Sequence, residues 1–156
     1  MSASRLPMRG RWRCCRCCGK SSRVSAERVV SGPGLATLYH ANSVLAKAPA
    51  TLAAEAITAG AQKGDPLCLQ TVQDFLDILA TVAGDIALTS GALDGVYLSG
   101  GILPKLGTLL DRVRFRRQFS AKGRLAWYCE NLPIALVRAE HMGLRGCAGA
   151  LRRGLA

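Results

Sequence analysis

Gly95-Val96-Tyr97-Leu98-Ser99-Gly100-Gly101-Ile102-Leu103-Pro104 is the stretch whose reading decides the fold. Val96, Tyr97 and Leu98 form a short β-branched and aromatic apolar run, which predicts a buried strand. Gly100 and Gly101 end that run. Pro104 then stands where a helix can start, because the first helical turn has no use for the N–H that proline lacks. Two meanings are open for the glycine pair. It is either a plain tight turn, or a backbone held at φ > 0 against which a flat ligand lies, with no Cβ in the way.

The flanking sequence alternates helix and strand. Leu67 to about Ser90 carries Leu69, Val72, Phe75, Leu76, Leu79, Val82, Ala83, Ile86 and Ala87 at helical spacing, with Gln70, Gln73, Asp74, Asp77 and Asp85 mainly off that face. Such a helix is about 36 Å long, enough to cross a domain. Gly84 within it either lets a neighbouring element approach closely or is a tolerated glycine costing ~1 kcal/mol. Further upstream, Ser31 reads as an N-cap and Pro33 as a first-turn residue. The helix they open runs to Ala46 through Leu35, Leu38, Tyr39, Asn42 and Leu45. Thr51–Ala61 is a weaker helix with Leu52, Ala56 and Ile57, ended by Gly64-Asp65-Pro66.

Downstream of the glycine pair a helix is predicted over about Pro104–Arg112. A basic run follows: Arg112, Arg114, Arg116, Arg117, Lys122 and Arg124, interleaved with Val113, Phe115 and Phe119. Contact with nucleotide phosphates or nucleic acid is one reading. The reading adopted is a solvated helix face with its apolar residues turned inward. Pro133–Val137 is predicted as a second buried strand. From Gly143 a terminal helix carries Leu144, Cys147, Ala148 and Leu151, with Arg152 and Arg153 favourably set against its C-terminal dipole.

The 156 residues suit one domain, which at this size buries roughly 68–70% of its unfolded surface. Hydrophobic residues make up 49% but aromatic ones only 5%, so the core must be mainly Leu, Val, Ile and Ala. Mean hydropathy is +0.18, and no apolar run approaches the ~18 residues of a membrane span. Cys68, Cys129 and Cys147 are scattered and odd in number, which predicts reduced core cysteines in a cytoplasmic protein. His40 and His141 have no paired nucleophile or metal-ligand spacing. The sequence holds no convincing internal repeat.

Val96–Ile102 resembles the adenosine-binding turn of sugar kinases with the actin/hexokinase fold. Val24-Ser25-Ala26-Glu27-Arg28-Val29-Val30-Ser31-Gly32-Pro33-Gly34-Leu35 and Gly143-Leu144-Arg145-Gly146-Cys147-Ala148-Gly149-Ala150 narrow the resemblance to bacterial-type glucokinases. The resemblance runs from about Val24 to the end of the chain and covers roughly the C-terminal half of such an enzyme. It implies an α/β fold: the helix-rich part of the larger domain of an actin/hexokinase-like (ribonuclease H-like) sugar kinase. It implies the glycolytic phosphorylation of glucose by ATP to glucose 6-phosphate, with Mg²⁺. It implies that Glu27 contacts the sugar, that Gly100 and Gly101 bind adenosine, and that Ser31 and Gly32 line the same cleft.

The family's Asp-x-Gly-Gly-Thr phosphate turn, its Asn-Asp base and its Glu-Gly-Gly-His segment do not occur in this sequence. No catalytic residue and no metal ligand are therefore assigned, and these residues alone are expected to be inactive. The partners expected are glucose and ATP, without membrane or nucleic acid. Self-association is expected as well, because the family's terminal helix folds back on its N-terminal domain. The competing class is a non-catalytic binding protein whose basic head contacts nucleic acid.

That head, residues 1–23, is set apart from residues 24–156. It holds seven of the 21 basic residues and no acid, leaving 14 basic against 10 acidic residues elsewhere. It also holds Cys14, Cys15, Cys17 and Cys18. Four thiols so crowded cannot wrap one tetrahedral zinc ion. The related Cys-x-Cys-Gly zinc motif of repressor-family sugar kinases would need a cysteine where Ser25 stands, and its upstream His is absent. An arm binding phosphates through its cations and stacking through Trp12 is a second reading. A transit peptide is a third, but Pro7, Gly10 and the cysteine pairs spoil an amphipathic helix. The reading adopted is a fourth: Arg, Trp, Gly and Cys are what a one-base shift of GC-rich Leu codons produces. The head is then out-of-frame sequence, expected to be disordered, with the family frame resuming near Val24. The DNA just upstream discriminates, since the kinase reading requires it to encode Asp-x-Gly-Gly-Thr.

Overall fold

Residues 25–138 and 141–154 are described by a computed structural model. The head, on which the disorder and nucleic-acid readings rest, lies outside the described residues. The chain opens with α1 (Ala26–Val29), a single turn whose cap Ser25 accepts a hydrogen bond from the Arg28 N–H at 3.4 Å. α2 (Gly32–Leu45) starts as the sequence predicts. The Ser31 hydroxyl accepts from the Gly34 N–H at 3.1 Å, and Pro33 sits in the first turn. α3 (Ala54–Gln62) begins later than predicted and leaves Leu52 outside it, exposed. Gly64, at φ +87°, turns the chain, and Asp65 caps α4 (Pro66–Ser90) by accepting from the Cys68 N–H at 2.7 Å. Gly91 closes α4 in the left-handed conformation that spares only glycine a Cβ clash.

β1 (Val96–Leu98) follows, then α5 (Leu103–Leu106) and a 3₁₀ turn at Gly107–Leu109. α6 (Arg112–Phe119) leads through a second 3₁₀ turn, Gly123–Leu125, to α7 (Ala126–Asn131). β2 (Ile134–Leu136) and α8 (Met142–Gly154) complete the order. β1 and β2 pair in parallel, Val96 against Ile134, Tyr97 against Ala135 and Leu98 against Leu136. The connection between them is the helical crossover that a parallel pair requires.

The single helix expected over Pro104–Arg112 is broken. Gly107 takes φ +52°, and Asp111 starts a new helix by accepting from the Val113 and Arg114 N–H groups at 2.9 and 3.0 Å. The strands expected to be buried are covered on one face only. Val96, Leu98, Ile134 and Leu136 turn to the core, while Ala135 and Tyr97, the latter 70% exposed, alternate to the other side. That alternation is the period-two pattern of a ladder with one packed face.

α4 is the axis of the core. Val72, Phe75, Leu76, Ala80, Ala83 and Ala87 meet Leu35 and Leu38 of α2, Ile57 of α3, and Phe115 and Phe119 of α6. Each buried Val, Leu, Ile or Phe among these contributes about 1.5–3 kcal/mol. Ile86 and Leu45, expected on apolar faces, are exposed. Asp77, expected off the apolar face, is buried at 6% exposure. Its carboxylate receives two parallel bonds from the Arg114 guanidinium, at 3.0 and 2.9 Å, and that fork stabilises a charge which burial alone would penalise.

The basic run is largely structural. Phe115 and Phe119 turn inward as expected, but Val113 is exposed. Arg116 donates to the carbonyls of Cys129 and Leu132 and lies over the Phe119 ring. Lys122 donates to the Thr81 carbonyl at 2.7 Å and to Asp85 at 2.6 Å. Gly84 marks a close approach, for a Cβ there would stand 2.5 Å from the Phe119 carbonyl oxygen. Cys68 and Cys129 are buried thiols as expected, with burial first and the Asp65 hydrogen bond second pushing Cys68 up to about 11. Cys147 is exposed on α8, against the expectation of a core cysteine.

Candidate functional site

The turn after β1 is anchored on both sides. The Val96 N–H donates to the Pro133 carbonyl and the Val137 N–H to the Leu98 carbonyl, both at 2.8 Å. Gly95, at φ +128°, is pressed against β2's entry, and a Cβ there would sit 2.8 Å from the Pro133 oxygen. Beyond Leu98 the chain turns through Ser99, Gly100 and Gly101. Gly100 takes φ +139°, a backbone that side chains strain to adopt. On the far side, Leu103 and Leu106 are sunk in the core, and Gln62 of α3 donates to the Lys105 carbonyl at 3.2 Å. Between these anchors the glycines are uncovered. A Cβ built on Gly100 or Gly101 meets nothing within 4 Å. The turn is thus a fixed, open, side-chain-free surface at the carboxyl end of a parallel strand, the end at which α/β sheets bind ligands.

A second group forms the corner between α1 and α2. Glu27 lies in the first turn of α1 with its side chain exposed. The Ser31 hydroxyl, besides capping α2, donates to the Arg28 carbonyl at 3.4 Å. Gly34 locks the corner, since a Cβ there would stand 2.1 Å from the Val29 oxygen. Gly32 has open space beside it. Glu27 thus stands on α1, and Ser31 and Gly32 at the start of α2, on either side of that corner. No hydrogen bond among the described residues joins that corner to Gly100 and Gly101. The two groups share the core, through Val29 and Val30 at one end and Ile102 at the other.

Among the described residues no three of His, Cys, Asp and Glu converge as metal ligands, and no helix is long and apolar enough to cross a membrane. The His40 ring packs its Nδ1 on the Ala50 carbonyl at 3.2 Å, a structural contact. The Asp65 carboxyl is held below its ordinary range by the hydrogen bonds from Cys68. Sequence reasoning missed the Asp77–Arg114 pair. Its signal was an acid set between Leu76 and Ile78, one turn before Ala80.

A family model described as Glucokinase matches residues 14–154, opening upstream of Val24. The chain is 48% identical over 135 residues to the glucokinase of Aromatoleum aromaticum, covering 85% of this chain and 41% of that protein. It is 42% identical over 140 residues to the "Bifunctional protein glk" of Burkholderia thailandensis, covering 87% of this chain and 22% of that one. Among solved structures, a glucokinase from an Antarctic psychrotroph superposes with a TM-score of 0.84 at 35% identity, over 98% of this chain and 47% of that one. The chain spans less than half the length of the curated relatives it matches.

Proposed function

This chain belongs to the glucokinase family, and from that premise we propose that it supplies one wall of a site where ATP phosphorylates glucose to glucose 6-phosphate. The observation that carries the reading is the Gly100–Gly101 turn, rigidly anchored and bare of side chains. A purine ring lies flat on such a backbone, and any Cβ would hold it off. Glu27 serves the sugar. An exposed carboxylate accepts hydrogen bonds from adjacent hydroxyls, and charged acceptors hold them about twice as strongly as neutral ones. Ser31 and Gly32 line the nucleotide side of the same cleft as the glycine turn, with open space beside Gly32.

ATP supplies the phosphoryl group, whose transfer needs Mg²⁺, in-line positioning and a base for the attacking hydroxyl. The role proposed for this part of the protein is to bind and orient ATP and glucose for that transfer. The reduced, buried thiols of Cys68 and Cys129 support a cytoplasmic setting.

The test is nucleotide titration of the 156-residue chain with a fluorescent ATP analogue. Gly101→Val fills open space, so it should leave the melting temperature unchanged and abolish nucleotide binding. Unchanged affinity in that variant would remove the turn from the site. Calorimetry with glucose checks the other half: Glu27→Gln should weaken sugar binding and leave the ATP analogue unaffected.

A further inference from the structure

A cavity of about 350 Å³ lies under the inner face of the ladder. Its roof is Leu98, Ile134 and Leu136; Phe115 and Leu110 add apolar wall; Arg112, Arg116 and Arg138 stand around it. The volume is at the lower end of small-molecule sites. Among the described residues no carboxylate lines it. That absence sets these three cations apart from their neighbours, since Arg114 and Lys122 are paired with Asp77 and Asp85. Asp111, adjacent in sequence to Arg112, is turned to the N–H groups of α6. Arg116 is oriented by the carbonyls of Cys129 and Leu132 without being neutralised. Arg112 and Arg138 make no hydrogen bond or ion pair among the described residues.

We propose that this cavity binds an organic anion, a phosphate or carboxylate head on an apolar body. Three like charges lining one largely apolar space repel one another, and an oxyanion between them relieves that repulsion. The guanidinium fork matches the planar face of a carboxylate or two oxygens of a phosphate. The leucine and isoleucine roof favours a ring or chain over bulk water. A neutral sugar gains little from either feature, and an inorganic ion gains nothing from the roof.

The experiment is calorimetric titration of the full chain with phenyl phosphate and with 4-phenylbutyrate, alongside benzyl alcohol and inorganic phosphate. One or both organic anions should bind at one site per chain, and the tighter of the two identifies the head group. Benzyl alcohol and inorganic phosphate should each bind at least tenfold more weakly. Arg112→Gln with Arg138→Gln should weaken the anion by roughly tenfold or more. Arg117→Gln with Arg124→Gln, the same loss of charge on exposed residues that do not line the cavity, should leave it unchanged. Arg112→Lys with Arg138→Lys keeps the charge and loses the fork, and should fall in between. It also serves should the glutamine pair fail to fold by circular dichroism. Equal binding of the neutral alcohol, equal binding of inorganic phosphate, equal effects of the two glutamine pairs, or no saturable binding of either organic anion would each overturn the proposal.

Discussion

Replacing Gly84 by alanine sets two effects of known size against each other. In a solvent-facing helix the change gains about 1 kcal/mol, because alanine loses less backbone entropy. Here the new Cβ would stand 2.5 Å from the Phe119 carbonyl oxygen and 2.6 Å from Lys122 Cε. The lysine end can swing away, but the carbonyl belongs to the backbone at the end of α6. Carbon atoms prefer separations of ~3.5 Å or more, so the end of α6 would have to retreat by about an ångström. Phe119 is fully buried and Lys122 is tied to Thr81 and Asp85, so the retreat uncovers the one and strains the other. Overpacking of this kind costs ~1–3 kcal/mol. Set against the propensity gain, the net expectation is a loss of about 1 kcal/mol, or roughly 2–4 °C in melting temperature for a chain of this size. Urea unfolding followed by circular dichroism measures it. Adding Lys122→Ala should fail to restore the stability, because the carbonyl contact remains. A Gly84→Ala variant more stable than the parent would refute the close approach of α6 to α4.

Asp77→Ala should destabilise by about 2 kcal/mol. That is less than the ~3–5 kcal/mol typical of a broken buried pair, because the Arg114 side chain, 34% exposed, can rehydrate. A double-mutant cycle with Arg114→Ala should return a coupling of about 1 kcal/mol, and a coupling near zero would show the pair to be energetically idle. Asp65 has a depressed folded-state pKa, so its contribution is complete above the ordinary carboxylate range and is lost as pH falls through the lower folded value. Asp65→Ser keeps a cap without that titration; thermal melts of the two proteins should converge as the solution is acidified, and parallel curves would contradict the linkage. Leu144 and Leu151 of α8 are 70% and 65% exposed. The chain is therefore expected to self-associate in sedimentation, with Leu144→Ser and Leu151→Ser together reducing it. A monodisperse parent would dispose of that idea.

The helices were legible where local chemistry fixes them. The cap at Ser31, Pro33 in the first turn, and the spacing of Val72, Phe75 and Leu76 all act within one or two turns of chain; the cap at Asp65 was equally local but read only as the end of the preceding helix. The glycine turn was legible for the same reason. The break at Gly107 was not, because a glycine between Leu106 and Thr108 reads equally well as a tolerated helix residue until its φ is known. Asp77 was misplaced because its partner is 37 residues away. The strands looked buried because Val96, Tyr97 and Leu98 are all apolar, and only the pairing tells that Tyr97 faces outward. For the candidate site, each residue type was visible in sequence. Where Glu27, Ser31 and Gly32 stand relative to the turn depends on how α1 and α2 pack on the core, which no local pattern carries.

The parallel register of β1 and β2 also sets an order of events. Val96 waits for Ile134, and the Leu98 carbonyl waits for the Val137 N–H. Contacts between residues so far apart form late, because the loop between them must close first. The α2–α4 helices can gather from local contacts while the chain is still emerging, but the glycine turn is braced only once residue 137 has arrived. During synthesis, at ~5–20 residues per second, that leaves an interval of about 2–8 seconds in which the turn exists as sequence but not yet as a surface. The Gly100–Gly101 face is accordingly among the last parts of the fold to mature, and nucleotide binding would report that final step.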